Sequence, residues 1–522
     1  MATKPVTGPP RTSASESSTQ VYAVHGADPE VLAYGMAKYS RSALSLRESL
    51  AELNEQKAEK FLNTFYFQYG HRSIADLAHI AFAIERLSIL AATILVDEPR
   101  WDGQERSTRY QDFKKSGYYV PDFAGDGEAE ALYQATADHL FAEYQYFSDA
   151  MFGYLRDRTP KPEEMKQEAY ERTLRARAFD LSRYLLPMAT NTSLGQIVSA
   201  RTLENQVSRL LSSTHAEVRR LGELLKQAAR EGAYNVNQAV AQGLLQEIRE
   251  QAPQLAGRAE QVLLREVHVA PTLMKYAEPN TYEIESRREL SGAAAELLGH
   301  LPNDPAPVVD LLEDEPLEIE LATTLLYQYD HHSYRQIRRV VEGLSQKRRG
   351  EIIDLGMKHR GRFDEVARPF NSGQGFRFDI LMDIGGFRDM HRHRRCVQIM
   401  QDYTPRHGYD MPQEIERAGL ASRYAQLMDR TWETVTQLAS REAVEADEQS
   451  QYLIPLAFRK RTLFKMDFAE ALYISELRSG PAGHFSYRNV AYAMYEAVAR
   501  RYPHLAQYFR VTDVNEPVDL LK

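Results

Sequence analysis

The 522-residue chain combines 43% hydrophobic with 26% charged residues, the balance of a soluble chain long enough for two or three separately packed cores, which excludes a single small module. Its one cysteine, Cys396, excludes an intramolecular disulfide, a CxxC redox pair and a cysteine-based zinc site, and reads as cytoplasmic. A formal net charge of −9 argues against a generally nucleic-acid-binding surface and leaves room for local basic pockets that hold small phosphorylated anions.

Residues 1–20, rich in Ser, Thr and Pro and without an apolar stretch, read as a disordered tail with no signal-peptide core. Phe61, Phe65 and Tyr69 step by four, and Leu203, Val207, Leu210 and Leu211 keep one apolar face, so helix dominates. Ile80 to Val96, interrupted by Glu85 and Arg86, falls short of the roughly 20 apolar residues a membrane span needs and reads as a buried helix. Extended candidates are His79 to Ile84, overlapping that stretch, and Phe376 to Leu381, which alternates as a half-buried strand should. The class expected is α+β.

Pairs recurring in one order mark an internal repeat. Tyr39 matches Tyr329, Asp76 matches Glu365, Gly117 to Pro121 (GYYVP) matches Gly408 to Pro412 (GYDMP), and Tyr184 to Pro187 (YLLP) matches Tyr452 to Pro455 (YLIP), at offsets of 290, 289, 291 and 268. A near-constant shift followed by one drop is what two homologous copies with a single large length change would give. The chain therefore divides into the tail, copy one (21–235), a helical and Pro-rich linker (236–315), copy two (316–510) and a C-terminal tail (511–522). Within the linker, Ala239 to His268 reads as a helical run.

Copy two carries a basic run, Arg388-Asp389-Met390-His391-Arg392-His393-Arg394-Arg395, of the kind that gathers guanidinium groups around a phosphate. Two other readings are a solvated basic helix face and a metal site through His391 and His393 with His407 nearby, although histidines one residue apart share a face only in a strand. Copy one carries the polar loop Gln104 to Tyr110, where extended backbone would aim Glu105, Ser107 and Arg109 one way.

Together the two halves resemble the flavin-dependent thymidylate synthases, whose signature joins an Arg-His-Arg triplet to a Ser-x-x-x-x-Ser-x-Arg tail. In copy one the similarity runs through Tyr69-Gly70-His71, Glu105-x-Ser107-x-Arg109-Tyr110, Ser182-Arg183-Tyr184, Ala200-Arg201-Thr202-Leu203-Glu204-Asn205 and His215-Ala216-Glu217-Val218-Arg219. The triplet is absent there, replaced by Asp97-Glu98-Pro99. Copy two keeps Arg392-His393-Arg394 and a late helical Glu476-Leu477-Arg478, while its tail is replaced near Gln401-Asp402-Tyr403. Opposite Arg478, copy one has Leu210, or Arg209 with a one-residue slip; opposite Arg183 and Asn205, copy two has Gln451 and Tyr473.

The resemblance implies two tandem copies of a helix-rich domain, each with a small β-sheet. Family members are homotetramers whose sites are assembled across subunits, so a fused pair that dimerises would carry one composite site per pair, with the mirror-image site dead. The implied reaction is reductive methylation of dUMP to dTMP with methylenetetrahydrofolate, FAD carrying hydride from NADPH. Arg478 would be catalytic, stabilising charge at the pyrimidine N3 and O4 edge; Glu105, Ser107, Arg109 and Arg183 would bind the nucleotide; and His71, Arg201, Asn205, Arg392, His393 and Arg394 would bind the flavin. A catalytically silent homologue that binds flavin or nucleotide as a scaffold is the alternative, and a metal hydrolase on His391 and His393 the third class. Cys396 lies in no cysteine-class motif and reads as a buried, inert thiol.

Overall fold

A computed structural model describes residues 24, 26–37, 72–275, 277–312, 316–360, 367–370, 375–441, 445–507 and 509–516. They fall into two units, residues 1–78 with 232–272 and residues 79–231 with 273–522.

In the first unit, Asp28 pairs with Arg265, and Glu30 accepts a hydrogen bond from the Thr272 amide at 2.9 Å. The run expected to be one helix from Ala239 to His268 is two, Gln238–Gln251 and Pro253–Leu263. Pro253 has no N–H to continue the first helix and its fixed φ suits the opening turn of the second.

The second unit holds copy one from His79 to Glu231 and all of copy two. Copy one runs β1 (His79–Ser88), α1 (Ile89–Leu95), β2 (Asp102–Glu105), α2 (Gly127–Arg158), α3 (Gln167–Ser182), β3 (Asn191–Ser199), α4 (Ala200–Leu211) and α5 (Ala216–Arg230), with an antiparallel sheet in the order β1-β3-β2. β4 (Val309–Leu311), within the stretch expected as linker, joins the sheet of copy two, which runs α6 (Leu317–Tyr327), α7 (Tyr334–Gly343), β5 (Phe376–Asp383), α8 (Ile384–Met390), β6 (Val397–Met400), α9 (Ala421–Ala439), α10 (Ala446–Gln451), β7 (Arg459–Met466), α11 (Phe468–Ser479) and α12 (Phe485–Arg501). Its sheet order is β4-β5-β7-β6, so β5-β7-β6 repeats β1-β3-β2 with one added edge strand.

Ile80 to Val96 is therefore not one buried helix. It pairs as β1 with β3, His79 opposite Ser199, and turns helical at Ile89, where the Ser88 hydroxyl caps the helix by accepting from the Ala91 amide at 2.9 Å. Among the described residues, no helix is long and apolar enough to cross a membrane. The Leu203, Val207 and Leu210 stripe of α4 is buried, as its period requires. In copy two the sheet packs through Phe378, Ile380 and Phe464 against Ile474 of α11 and Met494 of α12.

The repeat is visible bond by bond. Tyr119 donates its amide to Ala189 as Asp410 does to Ala457, and the Tyr133 hydroxyl caps Tyr119 as the Tyr424 hydroxyl caps Asp410. The YLLP and YLIP segments pair with each other across the copies, Met188 amide to Ile454 carbonyl at 3.0 Å and Leu456 amide to Leu186 carbonyl at 3.0 Å. One pairing has exchanged partners: Glu217 of α5 accepts from Ser88, whereas at the equivalent place Ser486 of α12 donates to Asp383. The length change that breaks the offset falls in α2 and α3, longer than their counterparts α9 and α10.

Candidate functional site

Caps and strand registers align Asp97-Glu98-Pro99 with the triplet, and the caps Ser199 and Asp467 align α4 with α11. The loop after β2 of copy one and the start of copy two's basic run meet inside one chain. Arg388, on α8, pairs with Glu105 and reaches Thr108 Oγ1 at 3.3 Å. The Ser107 hydroxyl accepts from the Arg109 amide at 3.2 Å, turning the chain so that Arg109 enters the protein.

There Arg109 forms a bidentate pair with Asp180, Nε to Oδ1 at 2.7 Å and Nη2 to Oδ2 at 2.9 Å. Its third bond crosses to copy two, Nη1 to the Tyr487 hydroxyl at 3.1 Å. Burial alone would raise the Asp180 carboxyl; His484, Arg109 and Arg183 outweigh it and hold it below the usual carboxylate range. Arg183, only 2% exposed, lies 3.9 Å from Asp180 and 3.7 Å from Asp389 of copy two. The two carboxylates balance its charge, but its Nε and Nη2 have no hydrogen-bond partner among the described residues, a costly state for buried donors.

On the copy-two side, Arg478 Nε donates to His393 Nε2 at 2.7 Å, and the Arg478 guanidinium lies 5.6 Å from the centre of the Tyr487 ring. Glu470 stands 3.5 Å from His393 Nδ1. Burial lowers the His393 pKa and Arg478 and Arg394 lower it further against Glu470, so the ring stays neutral, which Nε2 must be to accept. Arg394 stacks on Trp101 of copy one at 4.5 Å; the Arg392 side chain is exposed.

A cavity of about 210 Å³ opens beside these groups, lined by Asp97, Glu98, Arg368, His391, Arg394 and Cys396 among others. His391 turns to Gln398 and Asp97, away from the partners of His393, so the two histidines do not converge on a metal. Burial pushes the Cys396 thiol up to about 12, and Sγ donates to the His393 carbonyl at 3.0 Å; it is not a thiolate nucleophile.

The mirror-image position is built differently. Arg209 Nε donates to Glu98 Oε1 at 2.9 Å, the counterpart by contact of Arg478 on His393, although Leu210 is the counterpart by backbone. Arg368 binds Asp97, whose carboxyl is held at about 2: burial raises it and Arg368, His391 and Arg209 more than reverse this. Because α4 packs here, with Gln206 bonded to the Leu95 carbonyl at 2.9 Å, Arg201 and Asn205 lie on the helix that faces the mirror position. His71 lies outside the described residues.

Asp180, Asp389 and Tyr487 were not singled out from sequence. Asp180 lies three residues before Arg183 and Asp389 inside the basic run, but nothing in the order of residues signals that Tyr487 reaches Arg109.

The thymidylate synthase complementing protein family model matches residues 22–233 and 308–504. A Chlamydia pneumoniae protein described as a UPF0159 protein is 28% identical over 521 residues, covering 94% of this chain and 91% of the relative. A UPF0159 protein of Thermoplasma acidophilum is 24% identical over 525 residues, covering 92% and 95%. A flavin-dependent thymidylate synthase of Clostridium tetani is 25% identical over 179 residues, 34% of this chain and 68% of that one. Among solved structures, a Helicobacter pylori flavin-dependent thymidylate synthase complexed with FAD and dUMP aligns at 16% identity and a TM-score of 0.26, covering 39% of this chain and 89% of that one.

Proposed function

Because the chain belongs to the thymidylate synthase complementing proteins, the flavin-dependent thymidylate synthase family, as two tandem copies, we propose that it methylates dUMP reductively to dTMP, with methylenetetrahydrofolate and NADPH as co-substrates, at one composite site per chain. The observation that supports this reading is that copy one's Glu105, Arg109 and Arg183 meet copy two's basic run and α12 inside one chain, across Arg109–Tyr487, Arg388–Glu105 and Arg183–Asp389.

The residues fit anionic ligands. Nε of Arg388 and of Arg394, like two nitrogens of Arg183, is buried without a partner among the described residues. Arg183, Arg109 and the Ser107 loop would hold the nucleotide phosphate by charge-assisted bonds, which are about twice as strong as neutral ones. The triplet, Arg392, His393 and Arg394, would hold the phosphates and ring of FAD, which supplies hydride when bound. Arg478 would lie along the pyrimidine N3 and O4 edge, its orientation fixed by neutral His393, and stabilise negative charge as C5 becomes nucleophilic. Since α4 faces the mirror position, Arg201 and Asn205, with His71, would complete the flavin site of a second chain in a homodimer of fused pairs.

The test is to reduce the purified, FAD-loaded protein with NADPH and follow reoxidation with and without dUMP. A dUMP-dependent rate supports the reading. Failure to take up FAD, or indifference to the nucleotide, overturns it in favour of a silent scaffold.

A further inference from the structure

The repeat counterparts α5 and α12 open on the same residue, with His215 and His484 at their N-caps. Tyr487 in the first turn of α12 therefore stands where α5 has Val218. Val218 is fully buried and has only methyl groups to pack, whereas Tyr487, 4% exposed, brings a ring and a hydroxyl to the same place. Gly483 leaves the room that ring needs: a Cβ there would stand 2.7 Å from Tyr487 Cε2.

Two guanidinium groups share that ring. Arg109, from copy one, donates from Nη1 to the Tyr487 hydroxyl at 3.1 Å, and its Cζ lies 5.8 Å from the ring centre. Arg478, from copy two, has its Cζ 5.6 Å from the same centre. Both distances fall within the roughly 6 Å over which an aromatic face attracts a cation. Asp180 fixes Arg109 along its Nε and Nη2 edge, and the Tyr487 hydroxyl is the acceptor that fixes Nη1. Arg478 is half-exposed and its one hydrogen bond among the described residues is from Nε to His393, so the ring is the second surface that restrains its guanidinium. On the mirror side Arg209 is held instead by Glu98 and by the Ile94 carbonyl at 2.9 Å, and Val218 offers no ring. The Tyr487 ring also belongs to the apolar core of copy two, so packing is the competing reason for a large side chain here. Packing does not call for the hydroxyl.

We propose that Tyr487 is a positioning residue of the composite site, which sets the arginine of copy one and the arginine of copy two at the separation a nucleoside monophosphate has between its phosphate and its pyrimidine. This rests on the roles proposed above for Arg109 and Arg478. The hydroxyl acts on the phosphate end through Arg109, and the ring face acts on the base end through Arg478.

The test follows flavin reoxidation of the NADPH-reduced, FAD-loaded full chain against dUMP concentration. Tyr487→Phe keeps the ring, and should raise the dUMP concentration for half-maximal rate at least fivefold while the maximal rate falls less than threefold. Tyr487→Leu should also lower the maximal rate at least tenfold, yet lower it less than twofold in an Arg478→Ala background, where the group the ring restrains is gone. A packing role would lower the rate only in step with a urea melt, and equally with or without Arg478. A wild type whose reoxidation ignores dUMP overturns the proposed enzyme and this role with it. A responsive wild type that Tyr487→Phe matches in half-maximal dUMP concentration, or a Tyr487→Leu loss that is the same in both backgrounds, overturns the role of Tyr487 alone. Should Tyr487→Leu not fold, the half-maximal dUMP concentration of Tyr487→Phe decides.

Discussion

Arg478→Ala separates catalysis from folding more cleanly than any other substitution in the composite site. Arg478 is half-exposed, and among the described residues its side chain donates to His393 at 2.7 Å. A bond to a charged donor contributes about 1.5–3 kcal/mol when buried; solvent access, and relief of the repulsion that keeps His393 neutral, reduce the loss to about 1 kcal/mol. In the proposed reaction the same guanidinium would face charge that develops in the transition state. Removing one such donor costs about 10²–10³ in rate, roughly 3–4 kcal/mol. The rate loss should therefore exceed the stability loss several-fold in free energy. The assay is single-turnover reoxidation of the reduced flavoprotein with dUMP and methylenetetrahydrofolate, beside a urea melt of the same preparation. The pH profile should shift as well, since the His393 pKa rises once Arg478 is gone. A variant within threefold of the wild-type rate, or one whose rate falls only in step with unfolding, refutes the role given to Arg478.

Arg109→Ala and Asp180→Ala each leave a buried charge unpaired and should destabilise the fold by about 3 kcal/mol; the double variant should cost at least 1 kcal/mol less than the sum, and additivity in urea unfolding would mean the pair is not formed. Arg209→Ala breaks the equivalent pair with Glu98 on the mirror side, so it should lower the urea midpoint while the rate per folded molecule stays within twofold. Stability should fall from pH 7.5 to 6: His215 and His331 have folded pKa values of about 4, below the unfolded value, so the unfolded state gains the protons. Each contributes about 0.8 kcal/mol over that window, and a urea midpoint that rises or stays flat contradicts their burial as neutral rings.

The duplication was legible because short turn-forming blocks survive where function and packing both need them. GYYVP and GYDMP form the same backbone bonds beside β3 and β7, and YLLP and YLIP pair with each other, so their spacing carries the architecture. The Ile80 to Val96 stretch misled because an apolar run is equally consistent with strand and helix; only the Ser88 cap divides it. The complementary loss of triplet and tail could be read from residue types alone. The contacts that join them could not, since Arg109 and Tyr487 are 378 residues apart and no local periodicity encodes which loop of one copy faces which helix of the other. Arg209 shows the same limit: alignment makes Leu210 the counterpart of Arg478, but Glu98, standing where copy two has His393, recruits the neighbouring arginine instead.

The most direct test of the composite site is to count it. Titrating the FAD-loaded protein with dUMP and following the flavin spectrum should give one nucleotide per chain, abolished by Arg478→Ala or Arg183→Ala and unchanged by Arg209→Ala. Two nucleotides per chain, or one that survives loss of Arg183 and Arg478, would contradict a single site assembled from complementary copies.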